Sequence, residues 1–163
     1  MSLALYLRAP DFIVLACDGR SSLRCEDGSL IPVSEDSFKF RVVAPEVVVM
    51  ATGSNFVSRS VFEAAERFAS SRRDDASLFR LLASHITDEL AFAVQTAEEE
   101  IEGYEGTALM LLGLDRETNA LRVLYWPNGE TNFVEDDSTA AAIGNEQAVP
   151  MAIEILTEIV QRG

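Results

Sequence analysis

The sequence has few of the residues, and none of the long apolar runs, that mark secreted, metal-binding or membrane proteins. Its only cysteines, Cys17 and Cys25, stand eight residues apart without a second pair, so neither a disulfide framework nor a zinc site is indicated. No apolar run reaches the roughly 18 residues of a membrane span, and the N-terminus lacks the basic region of a signal peptide. We therefore expect a protein of the reducing cytoplasm with no membrane partner.

Positive charge is also scarce. The chain has 13 Lys and Arg residues against 27 Asp and Glu, which gives a formal net charge of −14 at pH 7. No basic stripe could offset the repulsion of a phosphate backbone, so the sequence predicts no nucleic-acid partner. Lys39 is the only lysine, beside twelve arginines.

The composition, with 48% apolar and 25% charged residues, indicates one globular domain over 1–163. Helical periodicity predicts helices over 57–68 and 78–101, and a last helix that begins near Val149, because Pro150 belongs in a first turn. A hairpin over 23–31 would turn at Asp27-Gly28, and Asn128-Gly129 would make a later turn. Apolar runs predict strands over 3–8, 12–17, 38–43, 47–50, 107–114, 120–126, 131–134 and 139–143.

This order of strands, helices, strands and a helix predicts an α+β protein with antiparallel sheets. The early strands are apolar on both faces. We therefore expect two stacked sheets with helices outside them.

Two stretches of the sequence carry a more specific pattern. The segment 16–22 reads ACDGRSS, and Lys39 lies fourteen residues before Gly53, at a predicted strand-to-helix junction. With this order of elements the chain resembles the proteasome β-subunit family of N-terminal nucleophile hydrolases, whose nucleophilic first residue is followed by an A-x-D-x-R-x-[TS] motif. Counting back from Asp18 without a gap places Ser2 on the family's nucleophile position.

The resemblance implies a four-layer α-β-β-α sandwich, a homo-oligomeric or ring-type assembly, a peptide substrate, and neither cofactor nor metal. A hydroxyl is a weak nucleophile, and the free α-amine of Ser2 would be its base once Met1 is removed. Lys39 would favour the neutral form of that amine, and Asp18 would hold Lys39 charged and oriented. The backbone N–H of Gly53 would meet the developing oxyanion.

Three further residues would support this site: Arg20 of the motif, and Gly144 with Asn145 in the loop before the last helix. The chain departs from the family here, because Asn145 stands where a serine helps to organise the amine. The nucleophile would be a serine where the family has threonine, and a longer hairpin separates Asp18 from Lys39.

The chain ends at Gly163, just after the last predicted helix, whereas family members continue with another helix and a strand pair. We expect one of three explanations. The fold lacks these elements, a partner chain covers the sheet edge that they would otherwise cover, or the resemblance reflects common ancestry alone.

Each site residue also has a purely structural interpretation. Asp18 could cap a turn and pair with Arg20, and Gly53 could supply only a positive φ. Lys39 could be a solvated strand lysine, and Ser2 could be a residue left by cloning. The chain would then be a non-catalytic proteasome-like subunit that assembles through helix faces and sheet edges.

Other polar residues are interpreted as structural. His85 has no acidic partner at the spacing of a catalytic triad. Asp136-Asp137 and Glu98-Glu99-Glu100 are expected to be solvated. A phosphate-binding loop at 51–54 is disfavoured, because this loop lacks the lysine and the further glycines of a P-loop.

Overall fold

The structure, a computed structural model, describes residues 3–19, 21–25, 29–34, 39–127, 130–144 and 148–162. The strands are β1 (Leu3–Arg8), β2 (Ile13–Cys17), β3 (Ser21–Arg24), β4 (Leu30–Ser34), β5 (Phe40–Ala44), β6 (Val47–Gly53), β7 (Thr107–Asp115), β8 (Ala120–Trp126), β9 (Val134–Glu135) and β10 (Ala140–Gly144). The helices are α1 (Asn55–Ser70), α2 (Leu78–Glu100) and α3 (Ala148–Arg162).

The strands form a three-stranded sheet in the order β10-β1-β2, a five-stranded sheet in the order β5-β6-β7-β8-β9, and a separate β3-β4 hairpin. All pairs are antiparallel. Helices α1 and α2 pack on the five-stranded sheet, α3 packs on β10 and β1, and the two larger sheets face each other. The predicted four-layer α-β-β-α sandwich is therefore confirmed.

Two apolar clusters hold the layers together. One lies between the five-stranded sheet and the helices α1 and α2, and the other lies between the two larger sheets. Strand β6 belongs to both, since Val49 joins the helix-side cluster and Met50 joins the inter-sheet cluster. This explains why β6 is apolar on both faces. Among the described residues, no helix is long and apolar enough to cross a membrane.

The structure corrects several predicted boundaries. β6 continues to Gly53 instead of ending at Met50, because its pairing with β7 extends to Thr107. The strand predicted over 131–134 is short and includes only Val134–Glu135. Helix α3 begins at Ala148, so Pro150 lies in its first turn as predicted. The predicted turns at 27–28 and 128–129 lie outside the described residues.

Candidate active site

Asp18 lies directly after β2 and holds the start of β1. The N–H of Leu3 donates to Asp18 Oδ1 at 3.0 Å, and the N–H of Asp18 donates to the carbonyl oxygen of Leu3, also at 3.0 Å. Ala4 pairs with Cys17 in the antiparallel strands β1 and β2, so Leu3 lies opposite Asp18. Asp18 is thus bound to the residue that follows Ser2, while Ser2 and Arg20 lie outside the described residues.

Gly144 lies on the other side of the same strand end. It pairs with Leu3 at the end of β10, and its φ of 138° falls in the region that favours glycine. Asp18 and Gly144 therefore flank the first residue of β1. Asn145 lies outside the described residues.

Lys39 is buried. Its side chain is 5% exposed, and its carbonyl oxygen accepts a hydrogen bond from the N–H of Ala51 at 2.8 Å. The interpretation of Lys39 as a solvated strand lysine is therefore wrong. A lysine that is buried to this extent usually has an anionic or polar partner. Among the ion pairs of the described residues, none joins Lys39 to Asp18.

Gly53 ends β6 immediately before the helix α1. Its φ is 103°, and a Cβ at this position would overlap the carbonyl oxygen of Gly106. The expected positive φ is confirmed, and the close approach of the neighbouring strand gives a second reason for glycine. The site residues thus form two groups: Asp18 and Gly144 on the three-stranded sheet, and Lys39 and Gly53 on the five-stranded sheet.

A buried tyrosine on β1 forms a polar network that the sequence analysis did not find. Tyr6 is fully buried, and its hydroxyl lies 2.9 Å from Ser138 Oγ. Asp136 Oδ1 accepts hydrogen bonds from Ser138 Oγ at 2.6 Å and from the Ser138 N–H at 3.0 Å. Since the Ser138 hydroxyl donates to Asp136, the Tyr6 hydroxyl donates to Ser138. Tyr6 stands among the leucines of LALYLR, which is the one sequence signal that could have indicated this network.

The network also corrects the interpretation of Asp136 as a solvated turn residue. Burial would raise the pKa of Asp136, but the hydrogen bonds from the Ser138 hydroxyl and N–H, the nearby Tyr6 hydroxyl and the charge of Arg8 hold it below its ordinary value. Burial raises the pKa of the Tyr6 phenol well above its ordinary value. Tyr6 therefore stays neutral and acts as a hydrogen-bond donor.

A second network lies at the last residue of β7, Asp115, whereas Gly53 pairs with the first residue of β7, Thr107. Asp115 is fully buried and contacts Arg80 at 3.0 Å and Arg122 at 3.2 Å. Arg122 also binds Glu135 of β9 at 2.6 Å. This network joins α2 to the strands β7, β8 and β9, so its role is structural.

Two of the structural interpretations are confirmed. The His85 ring stacks on Phe68, with centroids 4.4 Å apart, and thereby joins α2 to α1. Glu98, Glu99 and Glu100 are exposed. Among the described residues, no group of three or more His, Cys, Asp and Glu residues is placed to hold a metal ion.

The fold is that of the proteasome-type N-terminal nucleophile hydrolases. Eukaryotic HslV from Trypanosoma brucei superposes with a TM-score of 0.53 at 18% identity, covering 88% of this chain and 71% of HslV. Anbu, the ancestral beta-subunit from Yersinia bercovieri, superposes with a TM-score of 0.65 at 17% identity, covering 89% of this chain and 61% of Anbu. No protein-family model and no curated protein matches the sequence.

The resemblance to proteasome β-subunits is therefore confirmed for the fold. At 17–18% identity the likeness does not extend by itself to the chemistry. The chain spans less than two thirds of the length of Anbu.

Proposed function

We propose that this chain is an N-terminal nucleophile hydrolase that cleaves amide bonds in peptides, with Ser2 as the nucleophile after removal of Met1. The observation that carries the proposal is the pair of hydrogen bonds between Asp18 and Leu3. A carboxylate that binds the backbone at the second residue of a processed chain lies beside the new α-amine. Such an amine can act as the base of an N-terminal hydroxyl.

In the proposed reaction the Ser2 hydroxyl attacks the peptide carbonyl and passes its proton to the Ser2 α-amine. The carbonyl oxygen becomes an oxyanion, which the backbone N–H of Gly53 stabilises by hydrogen bonding. The intermediate collapses to an ester, and the leaving amine takes the proton from the Ser2 ammonium. Water then attacks the ester, its proton passes to the α-amine, and the Ser2 hydroxyl is restored.

Lys39 would supply positive charge to this site. Its burial supports the role, because a charge removed from water acts on its neighbours through a lower effective dielectric. Asp18 would orient the start of the chain through its hydrogen bond from the Leu3 N–H. Gly144 would hold Leu3 from β10, on the side of β1 opposite to Asp18.

The first test is the intact mass and N-terminal sequence of untagged protein expressed from its own start codon. We expect a chain that begins at Ser2 and gains one adduct, on Ser2, from a hydroxyl-directed electrophile such as a peptidyl β-lactone. Ser2→Ala is the matched control, because alanine also permits removal of Met1, and it should gain none. Retention of Met1, or equal labelling of Ser2→Ala, would overturn the catalytic proposal.

The second candidate function is that of a non-catalytic subunit in a homo-oligomer. It is supported by large apolar side chains that are at least half exposed, several of which lie in pairs at the spacing of one face: Phe12 with Val14 at the start of β2, Ile31 with Val33 on β4, and Met151 with Ile155 on α3. These side chains are Phe12, Val14, Ile31, Val33, Val42, Phe92, Val134, Met151 and Ile155.

Self-association in a ring-type assembly is part of both candidate functions. Light scattering after size-exclusion chromatography at about 10 μM should give a mass well above the 17.9 kDa of one chain. A strictly monomeric species would contradict it. A cytoplasmic location is proposed with the same function.

A further inference from the structure

The apolar pattern of β1 and β10 does not by itself select one register. Ala4 and Tyr6 belong to the inter-sheet cluster, so Leu3, Leu5 and Leu7 share the opposite face. These leucines pair with Gly144, Ala142 and Ala140 of β10. A shift of two residues would keep the leucines on the same face and Leu5 opposite Ala140 or Gly144, so these apolar contacts do not exclude it.

Strands β1 and β2 would shift together. Their turn is closed by a hydrogen bond of 2.9 Å from the Ala9 N–H to the Phe12 carbonyl oxygen, and Leu3 and Asp18 are bound to each other at the other end. A shift of two residues along β10 moves this hairpin by about 6.6 Å. It would change the position of Asp18 relative to Lys39 and Gly53, which belong to the other sheet.

The polar contacts of β1 select the observed register. The fully buried Tyr6 hydroxyl lies 2.9 Å from Ser138 Oγ, and Asp136 fixes Ser138 through its hydroxyl and its N–H. Arg8 Nη2 donates at 2.7 Å to the carbonyl oxygen of Leu121, on β8 of the other sheet. In a shifted register Ala4 or Arg8 would replace Tyr6, and the Tyr6 hydroxyl would lose its partner inside the core.

We infer that Tyr6, held by Ser138 and Asp136, is a positioning residue that sets the register of the β1–β2 hairpin and thereby aligns the two halves of the active site. The inference rests on the proposed function. Its structural part, the register itself, can be measured without any activity.

The test compares Tyr6→Phe with Tyr125→Phe. Both variants remove one phenol hydroxyl, and Tyr125 also packs on the inter-sheet cluster, from β8. Ser138→Ala removes the hydroxyl that binds Tyr6, and Ser138→Thr restores one. Hydrogen exchange of the β1 and β10 amides and cross-strand NOEs report the register, and kcat and KM on a fluorogenic peptide report the alignment.

In Tyr6→Phe we expect at least tenfold faster exchange in β1 and β10, with no change in β7. Since a displacement of about 1 Å can reduce a rate about 100-fold, kcat should fall by about 10- to 100-fold while KM stays within twofold. Ser138→Ala should show a smaller change in the same direction, because the Ser138 carbonyl oxygen also lies within reach of the Tyr6 hydroxyl, at 3.3 Å. Ser138→Thr and Tyr125→Phe should match the wild type within twofold.

Wild-type exchange and kcat in Tyr6→Phe would overturn the inference, and so would equal effects of Tyr6→Phe and Tyr125→Phe. If the wild type neither hydrolyses peptides nor forms an adduct, the proposed function fails. Exchange and NOEs then decide alone whether Tyr6 sets the register.

Discussion

The carbonyl oxygen of Lys39 accepts a hydrogen bond from the N–H of Ala51, so the pairing of β5 with β6 continues one residue before β5 begins. The register places Phe40 opposite Met50, and hence Lys39 opposite Ala51, two residues before Gly53. Diagonal neighbours of this kind lie about 7–8 Å apart. The fourteen-residue spacing of Lys39 and Gly53 therefore follows from an antiparallel hairpin that brings them together.

Replacing Lys39 with methionine should separate stability from reactivity. Methionine is one atom shorter than lysine and removes a charge from a buried residue, so the free energy of unfolding should change by less than about 1 kcal/mol. Adduct formation at Ser2 should slow by about 100-fold, because the positive charge beside the reacting groups is lost. Urea denaturation and time-resolved intact mass measure the two quantities.

Arg41→Met is the matched control for this prediction. Arg41 lies two residues after Lys39, within β5, where its guanidinium contacts Glu66 and the Phe62 ring of α1. The rate of adduct formation should stay at the wild-type value in this variant. A Lys39→Met protein that reacts as fast as the wild type would remove Lys39 from the proposed site.

Asp18→Asn tests the carboxylate charge apart from the hydrogen bond. The asparagine oxygen can still accept from the Leu3 N–H, so the loss of stability should be about 0.5–1.5 kcal/mol. The rate of adduct formation should fall at least tenfold, and Asp18→Ala should lose more stability than Asp18→Asn. Equal rates in Asp18→Asn and the wild type would mean that Asp18 only ties the β1–β2 hairpin.

Gly53→Ala should destabilise the protein more than Gly103→Ala. Both glycines are exposed and have a positive φ, but only a Cβ on Gly53 would meet backbone atoms of Gly106 and Thr107. We expect a loss of about 1 kcal/mol for Gly103→Ala and about 3 kcal/mol or more for Gly53→Ala. Equilibrium denaturation measures both, and equal losses would contradict the close approach of Gly106.

Asp115 should make the protein sensitive to acid. Burial alone would raise its pKa, but hydrogen bonds from Arg80 and Arg122 hold the pKa below its ordinary value. A carboxyl whose pKa is lowered on folding stabilises the fold above its unfolded pKa of about 3.9 and loses this effect as the pH falls through the folded value. The free energy of unfolding should therefore fall from about pH 4 downwards.

Asp115→Asn should lower the stability at pH 7 by about 1–3 kcal/mol and flatten the acid dependence. Asp137→Asn, at an exposed position, should leave both unchanged. Denaturant titrations between about pH 2 and 7 give the comparison. An Asp115→Asn protein with the acid dependence of the wild type would assign that dependence to other carboxyls.

Local patterns predicted most of the elements, because apolar periodicity reflects which face of a strand or helix is buried. The strands Leu3–Arg8 and Ala120–Trp126 have the bounds expected from the sequence. The strand expected over 131–134 includes only Val134–Glu135, because β9 pairs with β8 only at these two residues. The length of a strand depends on its partner, and the partner is not part of the local pattern.

The order of the elements, their apolar faces and the spacing of Asp18, Lys39 and Gly53 follow from the sequence alone. The burial of Lys39 and the contact of Tyr6 with Ser138, 132 residues further along the chain, depend on how the sheets and helices pack. Burial and hydrogen bonding of a polar side chain depend on groups that the fold brings together from distant positions. Periodicity within one segment reports its own faces and says nothing of those groups.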